Sequence, residues 1–600
     1  MALSTTRVRA GADELALDRA VGIFLRPVTM SDRFSVFIRN PWAQRILSVI
    51  VALLAWQLVG VNNPYATSSP LAVFQAFTDG FVTDVLPAFG QTLSTFLTGF
   101  VICIIAGVPI GLAMARIRVV RLILEPYVNT FYSMPMVSLF PVLLLAFGIG
   151  FGLRVAATVL FGIFAVIVNT YIGASSIDPA LEDTAKVFVA SPWKRLTTVI
   201  LPASLHYIFA GIRIAFGHGM IGAVVIELEA SAIGVGFQLS NDARELRLDK
   251  FFVVVVILGI FSIFAGIIMR RTERSVTEPW SRPRWMQRPS ESIARAAGTS
   301  FILPAATRVP ASTERASVAN APAVTSLLRG LSATGQALAT LVKKRWGAIM
   351  VQVVVLVALL SLWQIASTTV SRAVLPSPIS VAGALINQTF ITGTIFGPLG
   401  QSLLLLVTGF VVAVVLGVTL GLAMGQFRWL NNVLDPYVSF LYALPHVVFI
   451  PVLVVWLGFG FTFGLGYVVI SAIFPVMINA LQSVRTMKQE YPDLARSFNA
   501  SSWDTTRTII WPHSIPFITT GIRLAFSVSW IAVIVSEVLS SQQGLGGLIT
   551  SYGDEYRTAA MFVPVVYITV ISVVISVVIL QLSTRLQPRL APWAPSSLGR

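Results

Sequence analysis

The chain has 600 residues, 56% of them hydrophobic and only 11% charged, with a mean hydropathy of +0.81, which excludes a soluble globular protein. Runs such as Ile46 to Val61, Phe96 to Ala115, Val155 to Ala174 and Phe251 to Met269 approach the roughly 20 apolar residues that cross a ~30 Å hydrocarbon core. The net charge of +16 does not indicate a nucleic-acid partner, because it is concentrated between these runs rather than spread over a soluble surface.

Residues 1–45 read as a basic tail carrying Arg7, Arg9, Arg19, Arg26, Arg33, Arg39 and Arg45. The stretch from Val21 to Ile38 is either a short amphipathic piece or part of a disordered terminus. The polar stretch before the first apolar run is too long for a cleavable signal, so the first span is expected to remain as an anchor. Spans are expected at about 46–61, 92–115, 131–149, 155–176, 207–230 and 251–269, forming a first repeat over 46–270. The composition then shifts to Arg, Ser, Ala, Thr and Pro across 271–345, too dilute in apolar bulk to offset the entropy of folding, which predicts a disordered linker. A second repeat over 346–582 has spans at about 347–367, 402–425, 440–458, 464–484, 517–539 and 560–582, followed by a tail at 583–600.

Residues 62–90 carry no Lys or Arg, whereas the amino terminus, Arg116, Arg118, Arg121 and the centre are basic. The positive-inside rule then places both termini and the linker in the cytoplasm. The loop with Arg244, Arg247 and Lys250 is an exception, but Asp242, Glu245 and Asp249 accompany it.

The two repeats align without gaps at an offset of 310. Gln91 matches Gln401, Pro135 matches Pro445, Pro141 matches Pro451, Asn169 matches Asn479, Gly211-Ile212-Arg213 matches Gly521-Ile522-Arg523, and Glu227 matches Glu537. Six spans return the chain to its starting side, so both copies enter the membrane in one direction. The fold class is therefore an all-α polytopic membrane protein of two parallel six-helix repeats, about twelve helices in total, related by an axis along the membrane normal. The interface between the halves is a natural transport pathway.

Between the fourth and fifth spans of each half lies a polar loop, 182–202 and 491–512. In the first, Ala185, Phe188, Val189, Trp193 and Leu196 recur at helical spacing while Lys186, Lys194 and Arg195 fall elsewhere, giving one apolar and one basic face. Ser191-Pro192 interrupts the pattern, which predicts two short helices at an angle. Such a loop serves as a docking surface or lies on lipid headgroups, and periodicity does not separate the two.

Glu227 and Glu537, at the far ends of their fifth spans, are candidates for a gate or pathway, although hydration near the interface would also explain them. Asn169 and Asn479 can satisfy backbone groups across a helix contact instead of facing a solute. Pro135, Pro141, Pro445 and Pro451 are expected to kink the third spans. Ser133, Asn169, His218, Tyr442, His446 and Asn479 together form the expected weakly polar cavity. Under the offset, His446 faces Met136 and His218 faces Val528, so this cavity is expected to be asymmetric. The four histidines lie in no HExxH spacing, and there is no Walker-type glycine loop, so the chain is not expected to be an enzyme, to bind a metal or cofactor, or to hydrolyse ATP itself. Cys103 alone cannot form a disulfide within one chain.

An alanine followed by a short amphipathic helix and turn, Ile/Val-Leu-Pro and then a GIR element resembles the EAA loop in permease subunits of bacterial ABC importers. The SxP elements at Ser69-Pro70 and Ser377-Pro378, the Pro-rich third spans and Gly544-Leu545-Gly546 look most like the nitrate, sulfonate and taurine group. The usual loop glycine is Val189 in one copy and Asn499 in the other, and GLG is Gly234-Val235-Gly236 in the first half. The resemblance implies a type I importer permease of the bacterial inner membrane, its two usually separate chains fused. It also implies an ATPase dimer docked on Ala185, Phe188, Val189, Trp193, Ala495, Phe498, Asn499 and Trp503. A periplasmic or lipid-anchored solute-binding protein would deliver a small anion. The rival is a twelve-span carrier of the major-facilitator kind, but the turn from Arg116 to Glu125 lacks that family's glycine-and-aspartate pattern. A membrane-embedded enzyme is disfavoured by the missing metal or nucleophile constellation.

Overall fold

A computed structural model describes residues 40–64, 66–177, 181, 183, 187, 191–230, 233–281, 345–371, 374–488, 490–540 and 543–590. The piece expected around 21–38, most of the linker and residues 591–600 lie outside them. All regular secondary structure among the described residues is helical. In lipid this is the form that satisfies each backbone N–H and C=O within one segment.

The first half comprises α1 (Pro41–Asn62), α2 (Pro70–Gly80), α3 (Leu86–Arg116), α4 (Arg118–Ser133), α5 (Phe140–Phe147), α6 (Phe151–Ser175), α7 (Leu201–Ala230), α8 (Val235–Arg244) and α9 (Leu248–Ser281). The second comprises α10 (Arg345–Thr369), α11 (Pro378–Ile386), α12 (Phe396–Gln426), α13 (Arg428–Ala443), α14 (Ile450–Leu457), α15 (Phe461–Arg485), α16 (Glu490–Ser497), α17 (Trp511–Ser540), α18 (Leu545–Asp554) and α19 (Thr558–Leu590). The SxP elements are helix starts. Ser69 Oγ accepts the Ala72 N–H at 3.3 Å and Ser377 Oγ accepts the Ser380 N–H at 3.2 Å, while the proline occupies the first turn, where no N–H is needed. A π-helical turn at Phe81–Val85 carries α2 directly into α3, so one helical run covers Pro70–Arg116, well beyond the expected 92–115.

Among the described residues, ten helices are long and apolar enough to cross a membrane, or twelve if each bent pair counts as one span. The bent pairs are the third spans. Where a kinked helix was expected, α4 and the segment Met136–Phe147 meet at 100°, and α13 and the segment His446–Leu457 meet at 98°. Pro135 and Pro445 disfavour the helical region for the residue before them, and Met134 and Leu444 are extended, with ψ of 137° and 141°. The helix therefore ends and restarts, through a 3₁₀ turn at Met136–Leu139 or His446–Phe449.

Within each half, α3, α6 and α7, or α12, α15 and α17, pack as a close bundle. Glycines set the distance: a Cβ on Gly107 would lie 2.9 Å from Val166 Cβ, and one on Gly421 only 2.4 Å from the Met477 carbonyl oxygen. Such contacts let backbones approach where burial from water supplies no drive between helices.

The halves share one apolar core that includes Val137, Leu258, Val447 and Val533. The turn Met136–Leu139 packs on α17 and its counterpart His446–Phe449 packs on α7. Likewise α1 packs on α13 and α10 on α4. Each contact exchanges under the offset of 310, which is the signature of a twofold relation between the repeats.

Candidate functional site

A cavity of about 130 Å³ lies across the axis between the halves. It is lined by His218, Ile221, Met134 and Met136 from the first half and by His446, Tyr467, Ser471 and Val528 from the second, with Phe131, Tyr132, Phe161 and Phe164 among the rest. Met136 and His446 occupy equivalent positions, as do His218 and Val528, and all four line this one space. Its wall is therefore chemically unequal on its two sides although the backbone is repeated. No Arg or Lys is among its lining residues. His446 Nδ1 is buried without a hydrogen-bond partner among the described residues and faces, with the hydroxyls of Tyr132, Tyr467 and Ser471, the space a solute would enter.

The other cavity candidates lie apart from it. Ser133 ends α4 beside Tyr132 but is not a lining residue. Tyr442 is 51% exposed and packs on Phe474 at 6.2 Å between ring centroids, whereas its counterpart Tyr132 lines the cavity. Asn169 Nδ2 donates to the Ala165 carbonyl at 2.8 Å and Asn479 Nδ2 to the Pro475 carbonyl at 2.8 Å. Each asparagine Cβ stands against a glycine of the next helix, Gly211 or Gly521. They sit in the α6–α7 and α15–α17 contacts.

Glu227 and Glu537 are not at a hydrated rim: they are 0% and 3% exposed. Thr92 Oγ1 donates to Glu227 at 2.7 Å and accepts the Val235 N–H at 2.9 Å, while the Gly236 N–H donates to Glu227 Oε2 at 3.0 Å. In the second half, Ser402 Oγ donates to Glu537 at 2.7 Å and accepts the Leu545 N–H, and the Gly546 N–H donates to Glu537 Oε2 at 2.9 Å. Each carboxylate thus caps the start of α8 or α18, where free N–H groups favour negative charge. Arg154 Nη1 approaches Glu227 Oε1 at 3.7 Å. Sequence reasoning overlooked Thr92, Ser402 and Arg154, although the offset already pairs the two hydroxyls.

At the opposite ends of α7 and α17 lie the polar loops. Ala185, Phe188 and Val189 fall outside the described residues. Trp193 is 71% exposed, on the short turn Pro192–Arg195 that leads through a π-helical turn into α7. The second loop is α16, then a turn at Ser502–Thr505 capped by Ser501 Oγ, which accepts the Asp504 N–H at 3.1 Å. Two short helices form in this copy, whereas the Ser191-Pro192 break that predicts them belongs to the first loop, much of which lies outside the described residues. Ala495 is buried, while Phe498 and Trp503 are 78% and 70% exposed. Asn499 takes a left-handed conformation, with φ of 55°, and the Ala500 N–H closes back on the Ala495 carbonyl at 3.0 Å. That is the helix-ending geometry glycine or asparagine provides, so the departure from glycine here keeps the same backbone. In the GIR element of the first half, Arg213 pairs with Glu273, which His206 Nδ1 also approaches at 3.0 Å.

A family model described as the binding-protein-dependent transport system inner membrane component matches residues 107–278 and again 413–592, together more than half of the chain. The chain belongs to that family. It is a multi-pass inner-membrane permease of an ABC-type importer and not its ATPase, and the two matches fall one in each half. The permease is 28% identical over 244 residues to the taurine transport system permease protein TauC of Escherichia coli, covering 40% of this chain and 87% of the relative. It is 26% identical over 228 residues to the nitrate import permease protein NrtB of a Synechocystis species, covering 37% of this chain and 82% of the relative. Over 166 residues it is 29% identical to the bicarbonate transport system permease protein CmpB of Synechococcus elongatus, covering 28% of this chain and 60% of the relative. Each relative is about the length of one half, so this permease is a fusion of two such units. Its family membership removes the major-facilitator reading.

Proposed function

We infer that this permease is the complete membrane passage of an importer for a small oxyanion or sulfonate, with ATPase subunits docking on both polar loops. The carrying observation is the exposure of Phe498, Trp503 and Trp193 at the loop ends of α7 and α17. Bare aromatic rings on a structured polar turn mark an interaction surface, and burying one such ring is worth about 1.5–3 kcal/mol. The basic amino terminus, Arg116, Arg118 and Arg121, against a 62–90 stretch without Lys or Arg, support a cytoplasmic side for this face, both termini and the linker. A solute-binding protein then meets the opposite face.

The substrate class rests on the relatives, whose names specify taurine, nitrate and bicarbonate. The axial cavity supports a small solute by its volume. With no Arg or Lys in its wall it is built for passage rather than tight anion capture, which falls to the binding protein. Of the remaining candidates, we assign His218 and His446 to the pathway, and Glu227 and Glu537 to holding its outer helices in place.

The docking reading is tested with Phe498→Asp and Trp503→Asp in the chain co-expressed with its ATPase. Each is expected to weaken association at least ~10-fold, the equivalent of about 1.4 kcal/mol, with membrane insertion unchanged. Normal binding and ATPase stimulation by both variants would make the loops headgroup helices.

A further inference from the structure

Glu227 and Glu537 share every partner but one. Both accept from a hydroxyl, both accept a backbone N–H from a glycine nine residues on, and both lie at the start of a short helix. Only Glu227 has a cation, the 4% exposed Arg154. The equivalent position is Gly464, and among the described residues no cation pairs with Glu537. Because the helix start and the hydroxyl are common to both sites, they cannot account for the difference.

Beside Gly464 lies a cavity of about 210 Å³, bordered by the polar Gln401, Ser536, Glu537, Ser540 and Gln543 and by the apolar Leu405 and Phe461. Three of these replace apolar residues of the first half: Ser536 stands for Ile226, Ser540 for Ala230 and Gln543 for Ile233. Loss of the arginine is therefore accompanied by three oxygen-bearing replacements around the same space, against one in the other direction, Leu405 for Thr95. Ser536 Oγ donates to the Val533 carbonyl at 2.8 Å and Ser540 Oγ to the Ser536 carbonyl at 2.6 Å, which leaves both with lone pairs to share. Gln401 Nε2 donates to Gln543 Oε1 at 2.8 Å and closes the rim.

A buried carboxylate without a compensating charge is costly. Carboxylate, hydroxyl and amide oxygens suit a hard cation, and the absence of nitrogen and sulfur donors from the rim disfavours transition metals. One carboxylate balances one positive charge, so a divalent ion would leave an excess. The volume holds an ion with several waters, at about 30 Å³ each. We propose that the cavity beside Glu537 binds a small monovalent cation of the sodium class, held by the Glu537 carboxylate and by oxygens of Ser536, Ser540 and Gln543. The ion takes the place of the Arg154 guanidinium in the other half. The site lies at the end of α17 away from the polar loops and does not rest on the importer reading.

The full-length chain in lipid nanodiscs is melted in sodium chloride and in N-methyl-D-glucamine chloride at equal ionic strength. Sodium is expected to raise the melting temperature saturably, by about 1 °C at tenfold over its dissociation constant for cooperative melting of the whole chain. Glu537→Gln keeps the size and polarity of the side chain but removes the charge, and should abolish the response. The Leu405→Thr/Gly464→Arg pair rebuilds the first-half arrangement. Thr is needed because a Cβ at 464 would meet Leu405 Cδ2 at 2.8 Å. This variant should melt independently of sodium and above wild type in the glucamine salt. If it does not fold, the Glu537→Gln comparison still decides. Equal melting of wild type in both salts overturns the proposal, as does a sodium response that survives in Glu537→Gln. A wild type stabilised by lowering pH but indifferent to sodium also overturns it, because a proton then neutralises the carboxylate.

Discussion

Gly544 ties a short sequence element to the burial of a charge. Its φ of 144° is poorly tolerated by L side chains, and a Cβ there would lie 2.3 Å from the Glu537 carboxyl carbon. Gly234 repeats the arrangement against Glu227, with φ of 103°. The glycines and the glutamate are thus one device: the carboxylate holds the helix start, and only a bare Cα fits over it. Gly544→Ala is expected to destabilise the protein by about 1–3 kcal/mol, read as a lower melting temperature in detergent. Gly397→Ala, in a helix and with open space around the added methyl, should melt at or above wild type. At this scale the sequence shows that the glutamates and glycines recur. Their contact was not legible there, since spacing alone does not reveal that the chain folds back to lay Gly546 on Glu537.

For whole elements, sequence pattern and structure part company at the prolines. A run of apolar residues with two prolines reads equally well as one kinked span or as two helices, and only the backbone of Met134 and Leu444 decides between them. The polar loops were more legible, because a break at Ser191-Pro192 and a change of helical face are local features. Asn499 gives this a test. Its left-handed φ is open to glycine without strain, while a β-branched residue there costs about 1–2 kcal/mol. Asn499→Gly should leave ATPase association within about twofold of wild type. Asn499→Val should reduce it several-fold, with faster amide exchange confined to α16 and the following turn. Equal association for both variants would show that this backbone does not position Phe498 for its partner.

Across the whole molecule, the repeat and its offset predict a twofold arrangement, yet not which helices cross from one half to the other, because that depends on contacts hundreds of residues apart. α1 lies against α13, where Arg45 pairs with Asp435 at 3.2 Å and Asn432 Nδ2 donates to Gln44 Oε1 at 2.8 Å. Asp435 also receives Arg485 at 3.5 Å, so α1 joins a charged cluster of the other half. The 3₁₀ turns interlock more deeply, in the common apolar core. These contacts join the halves directly, and the proposed role of residues 282–344 is that of a tether supplying an effective concentration on the order of millimolar. Halves expressed separately, divided near residue 311, should therefore co-purify as a stoichiometric pair. A first half lacking Pro41–Asn62 should still insert but be recovered with its partner at least ~10-fold less well, since it loses both the charged cluster and the apolar face of α1 on α13. Arg45→Ala alone should cost much less, because a half-exposed ion pair is worth at most about 1 kcal/mol. Pull-down of one tagged half with quantification of the other separates these outcomes: intact halves that fail to pair would assign a structural role to residues 282–344, and undiminished pairing without α1 would place the whole interface in the central turns.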